Sequence, residues 1–162
     1  MNAAQIHLMT VHIPVLGMPV TALLMAIAVW KKSDLLWSVG VWFLFGVTLL
    51  GGIAYLSGPA AYEVLDEWNF LPWVEGPEET KGLIEDHAAV AKGVYFTSLI
   101  PAVMALAQFI RVLGGDSWPK WMKITLPVLL ILLSVGFAYT AHLGGMIRHP
   151  EIYRSAPLLD LS

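Results

Sequence analysis

Residues 35–57 read LLWSVGVWFLFGVTLLGGIAYLS, 23 consecutive positions without a charged side chain. Wound as an α-helix at 1.5 Å per residue, such a run is about 35 Å long, enough to cross the roughly 30 Å hydrocarbon core of a bilayer. Its only polar groups are one serine at each end, Thr48, the Tyr55 phenol and the indole N–H of Trp37 and Trp42. A soluble helix of this length would carry a polar stripe along one face. Here apolar side chains go all the way round, which points to lipid as the solvent.

Three more runs answer the same description on either side of it, at about 12–30, 88–112 and 122–143. Pro19, Pro101 and Pro127 fall within them and predict kinks rather than breaks, because neighbouring helices can re-satisfy the freed backbone groups. Composition agrees: 57% of the 162 residues are hydrophobic and 13% charged, against about 45–50% and 25% in soluble domains. The expected fold is therefore all-α, an integral membrane four-helix bundle forming a single transmembrane domain over residues 1–162. A longer connection over about 58–86 joins the second and third spans. The net charge of −3 with dispersed basic residues argues against a nucleic-acid partner.

The connections give the expected orientation. Lys31, Lys32, Arg111, Lys120 and Lys123 flank the two short loops, whereas Glu63, Asp66, Glu67, Glu75, Glu78, Glu79, Glu85 and Asp86 crowd the long one. By the positive-inside bias the short loops are cytoplasmic, so both termini and the acidic loop face the periplasm of a bacterial cytoplasmic (inner) membrane. No basic residue precedes the first apolar run, so it reads as a span rather than a cleaved signal. Within the long loop, Ala61 to Trp68 has the mixture of a short interfacial helix, with Trp68, Phe70 and Trp73 as anchors. Gly76-Pro77-Glu78-Glu79-Thr80 resembles a helix start, which would lengthen the third helix on the periplasmic side.

All five histidines then fall at one end of the bundle: His7 and His12 lead into helix 1, His87 opens helix 3, and His142 and His149 close helix 4. A single interfacial histidine is often just an amphipathic ring in the headgroup layer. His12, His87 and His142, coming from three helices at similar depth, ask for more. Neutral imidazole is the commonest side-chain ligand of iron, copper and zinc. The chain has no cysteine, so thiolate sites and covalently attached haem are excluded.

Haem b fits this pattern, since helix bundles build cofactor sites from facing helices. The axial-ligand candidates are, in order, His12, His87, His142, His7 and His149; diagonal placement of helices 1 and 3 would pair His12 with His87 and leave His142 for His7 or His149. Four of the five could hold two haems. Lys92 and Arg148 are candidate propionate partners. Gly51, Gly52, Gly144 and Gly145, with Ala88, Ala91, Gly93 and Gly136, offer room for a flat macrocycle, although small residues in membranes equally serve close helix packing. Met9, Met18 and Met146 are candidate thioether ligands, but methionine more commonly fills gaps.

These residues resemble a bacterial membrane family called domain of unknown function 2231. Its members open with a pattern like His-Pro-x-x-x-His-Phe-Pro, and His7, His12 and Pro14 match it, with Leu8 in place of the first proline. A histidine at the start of helix 3 matches His87, and a closing His-x-Gly-Gly-x-x-x-His matches His142, Gly144, Gly145 and His149; Pro150 stands where the family often has glycine. Members sometimes occur joined to Rieske or cytochrome c modules. The resemblance thus implies membrane electron transfer and raises His7 and His149 as ligands.

The expected function is a membrane-bound b-type cytochrome subunit passing electrons between the quinone pool and a periplasmic partner, such as a c-type cytochrome or other subunits of a redox complex. Two alternatives stand beside it: a non-redox assembly subunit of a respiratory or photosynthetic complex, and an outward-facing copper or zinc protein. No acid/base pair, nucleophile or nucleotide motif marks an independent enzyme.

Overall fold

The computed structural model describes residues 1–67 and 77–149, residues 77–80 through their backbone alone. Among the described residues all regular structure is helical: α1 (Ala3–Thr10), α2 (His12–Lys31), α3 (Asp34–Glu67), α4 (Pro77–Leu113) and α5 (Lys120–Arg148). Four stretches are long and apolar enough to cross a membrane: Ala3–Lys31, Asp34–Glu67, Lys81–Leu113 and Lys120–Arg148. α1 and α2 make up the first of these, broken only at Val11, whose backbone stays in the right-handed helical region.

The helices close into a ring. α2 packs on α3 and α5, and α4 packs on the same two neighbours, so α2 and α4 are diagonal, as are α3 and α5. α1 is different, packing chiefly on α3 and meeting α2 where the two join. The core inside the ring is built from Met18, Met25, Trp37, Val41, Leu44, Leu126 and Leu130, all buried. Outward, Leu16, Leu23, Trp42, Leu49, Ile100, Val103, Ile131, Leu132 and Val135 are exposed. A soluble protein could not present so large an apolar surface to water, whereas lipid accepts it.

Glycines set how closely the helices meet. A Cβ at Gly17 would lie 2.5 Å from Val47 Cγ2, and one at Gly52 would lie 2.6 Å from the Tyr95 hydroxyl, so both positions are notches that receive a neighbour's side chain. The two short turns are equally specific. Lys32 caps α2 in the left-handed region at φ 50°, and Gly115, at φ 103°, occupies a conformation that an L side chain resists. At this short-loop end Lys123 reaches across the diagonal to Asp34, Nζ to Oδ1 2.8 Å, while Trp37 meets Trp118 edge-on at 5.6 Å.

α3 and α4 run well beyond the expected spans. With 34 and 37 residues they are about 51 and 56 Å long, and Pro59 lies inside α3 without ending it. The separate interfacial helix expected from Ala61 is instead the last turns of α3, since Ala60, Ala61, Glu63 and Leu65 are good helix formers with no stop among them. α4 begins at Pro77, its rigid φ suited to a first turn. Trp68, Phe70, Trp73 and Glu75, and Pro150 in the tail, lie outside the described residues, as do the side chains of Glu78 and Glu79.

Candidate functional site

The histidine end is level across all four spans. Counting from the charged residues at the short-loop end, His7 lies 24 residues before Lys31, Gly58 24 after Asp34, His87 24 before Arg111 and Gly144 24 after Lys120. At 1.5 Å per residue the layer stands about 36 Å up, just past a 30 Å hydrocarbon core and at the depth of the headgroups.

Within that layer two histidines turn inward. His7, half-buried, holds the Ala54 carbonyl oxygen of α3 with Nδ1 at 2.8 Å, and Ser57 Oγ lies 3.4 Å from the same nitrogen. His87, also half-buried, holds the Thr140 carbonyl oxygen of α5 with Nδ1 at 3.0 Å. A carbonyl can only accept, so in both rings Nδ1 carries the proton and Nε2 presents its lone pair. Neither Nε2 has a hydrogen-bond partner among the described residues. The two rings come from α1 and α4, helices that do not pack on each other. Glycines flank both: a Cβ at Gly58 would lie 3.6 Å from His7 Cε1, and one at Gly144 3.2 Å from His87 Cε1.

The other three histidines stay apart from this pair. His12 is exposed and bonds back to the Leu8 carbonyl one turn earlier on its own helix, Nδ1 to O 2.8 Å. His142 is exposed and stacks on Tyr139, ring centroids 6.4 Å apart, and His149 is the exposed C-cap of α5. His7 and His87, not His12, are thus the half-buried histidines at this end, and the expected convergence of His12, His87 and His142 is not what the fold builds. Among the described residues no three histidine or carboxylate side chains gather so as to hold a metal ion. That removes the main support for a bare copper or zinc site, which needs three or four protein ligands. An iron porphyrin asks for only two.

The remaining candidates divide. Gly51 and Gly52 face Pro14 and Tyr95 and serve helix packing, not a macrocycle. Gly144 adjoins His87, and the Gly145 carbonyl accepts the His149 backbone N–H at 2.8 Å. Lys92 is exposed on α4, and Arg148 is half-buried in the last turn of α5.

The inward turn of His7 and His87 carries a sequence signal, namely position on the helix. His7 shares a stripe with Pro14, Met18, Thr21 and Met25, at steps of 7, 4, 3 and 4, and all four are buried. His87 heads the series Ala91, Val94, Ser98, Pro101 and Ala105, at steps of 4 and 3, the last three buried. His12, five residues after His7, is turned about 140° from it at 100° per residue. It falls in line with exposed Leu16 and Leu23, as His142 does with exposed Val135, Ile131, Val128 and Ile124. Comparison of the chain with protein-family models, with curated proteins and with solved structures finds no match.

Proposed function

We propose that this chain is a haem b subunit of a bacterial cytoplasmic membrane, carrying electrons between the quinone pool and a periplasmic redox partner, with the histidine end and both termini on the periplasmic side. One observation carries the reading: His7 and His87 each fix the imidazole through Nδ1 on a backbone carbonyl and leave Nε2 without a partner among the described residues. That is the arrangement of metal-ligating histidines, in which the outer hydrogen bond sets tautomer and ring orientation. The haem would be held by these two, with Lys92 and Arg148 as the candidate cations for its propionates. When bound, the group supplies an iron that takes up and releases one electron. The chain's own part is to hold the rings: the Ala54 and Thr140 carbonyls belong to helices in the packed ring and keep both imidazoles neutral at the ligating nitrogen. The resemblance to domain of unknown function 2231 in His7, His12, His87, His142 and His149 supports the same reading.

The acidic residues near the long connection and the basic residues around the short turns support the proposed orientation. The deciding experiment is a reduced-minus-oxidised absorption spectrum of the purified chain with porphyrin quantitation. A Soret band and a reduced b-type α band are expected, and their loss from His7→Ala and His87→Ala variants. Protein purified without porphyrin, and unable to bind added haem, would overturn the proposal.

A further inference from the structure

Between α3 and α4, below the histidine layer, a groove of about 230 Å³ is lined by Phe45, Thr48, Leu49, Tyr95, Leu99 and Ala102 and opens toward lipid. Thr48 is 6% exposed, and its hydroxyl has no hydrogen-bond partner. That is unusual for this chain. Thr21, Thr97, Ser134 and Thr140 each donate to the carbonyl four residues back, the standard way for a hydroxyl in a membrane helix to be satisfied. A buried hydroxyl left unpaired costs about 1–3 kcal/mol, so Thr48 lacks a partner where its siblings have one.

We infer that this groove seats the head ring of a lipid-soluble quinone, with a ring carbonyl accepting from the Thr48 hydroxyl after rotation about its Cα–Cβ bond. Size, shape and chemistry agree on the class. An apolar cavity of about 150 Å³ admits benzene, so a groove of about 230 Å³ matches a single substituted six-membered ring in size. Phe45 and Tyr95 give it aromatic walls, and the open side lets a long apolar tail run into the bilayer. Thr48 stands 14 residues after Asp34 and 10 before Gly58, about 15 Å below the histidine layer and inside the hydrocarbon, where a quinone is dissolved. The choice of a quinone over other ring carbonyl compounds rests on the electron-transfer reading above.

The test is a titration of the whole chain in lipid nanodiscs with oxidised decylubiquinone, followed by calorimetry, for wild type, Thr48→Val and Thr48→Ser. Saturable one-site binding is expected. Valine, of the same shape without the hydroxyl, should weaken it about tenfold, and serine should restore it. Ala102→Leu, which fills the groove, should remove saturable binding while its own unfolding midpoint stays close to that of wild type. Partitioning without saturation overturns the site, and so does saturable binding that Thr48→Val leaves unchanged, which would mean an apolar groove occupied by any chain. Saturable binding in protein that takes up no haem upholds the groove and removes the haem reading; a haem spectrum without saturable binding does the reverse.

Discussion

Replacing His87 by asparagine separates holding the bundle from holding a cofactor. The asparagine amide nitrogen sits close to where imidazole Nδ1 sits, so it can still donate to the Thr140 carbonyl, now 3.0 Å from Nδ1. It has nothing at the position of Nε2. Alanine removes both. The bond to Thr140 is a neutral pair in a half-buried setting, worth about 0.5–1.5 kcal/mol net. In a chain of this size about 1 kcal/mol moves the unfolding midpoint by roughly 2–4 °C. Relative to wild type stripped of haem, His87→Ala should therefore lower the midpoint by about that much in detergent, and His87→Asn by less than about 2 °C. Porphyrin content should fall to background in both, while His12→Asn and His142→Asn keep the wild-type spectrum. The assay is thermal unfolding alongside haem quantitation on the same preparations. Wild-type porphyrin content in His87→Asn would refute the assignment of Nε2 as a ligand, whatever the stability data show. Loss of the spectrum in His12→Asn alone would refute the pairing with His7.

Two further outcomes bear on the fold. Gly17→Ala should destabilise the bundle by about 1–3 kcal/mol, because its Cβ would meet both branches of Val47, at 2.5 and 3.1 Å, and turning the valine can withdraw only one of them; adding Val47→Ala should recover most of the loss in the unfolding midpoint. Orientation can be read with single cysteines, since the chain has none of its own: a membrane-impermeant maleimide should label Glu63→Cys from the periplasmic side and Asp116→Cys only after the membrane is opened.

Hydropathy made the spans legible because a bilayer imposes one length on every crossing helix. It could not show where α3 and α4 stop, since beyond the headgroups nothing apolar is required. There Ala60 to Glu67 is helical through propensity, and Pro59 is accommodated within the helix. The histidine pair was half legible. Depth along the chain brought all five histidines to one end, but depth favours His12, which lies inside the apolar run, over His7, which precedes it. Direction around the helix reverses the order, and it can be read only by extending the buried stripe from Pro14 back to His7. Gly51 and Gly52 show the opposite difficulty: a small residue looks the same whether it admits a cofactor or a tyrosine, and only the position of Tyr95 decides.

The contrast between the two ends of the bundle bears on the order of its making. At the short-loop end two tight turns, the Lys123–Asp34 pair and the Trp37–Trp118 contact tie neighbouring and diagonal helices together. At the other end α1 packs chiefly on α3, and its backbone does not pack on α4 or α5. A chain built this way can complete its insertion and close its hydrocarbon-embedded ring before anything enters between His7 and His87. Maturation would then be a late, local event at the membrane surface, with no need to reopen the part already sealed in lipid.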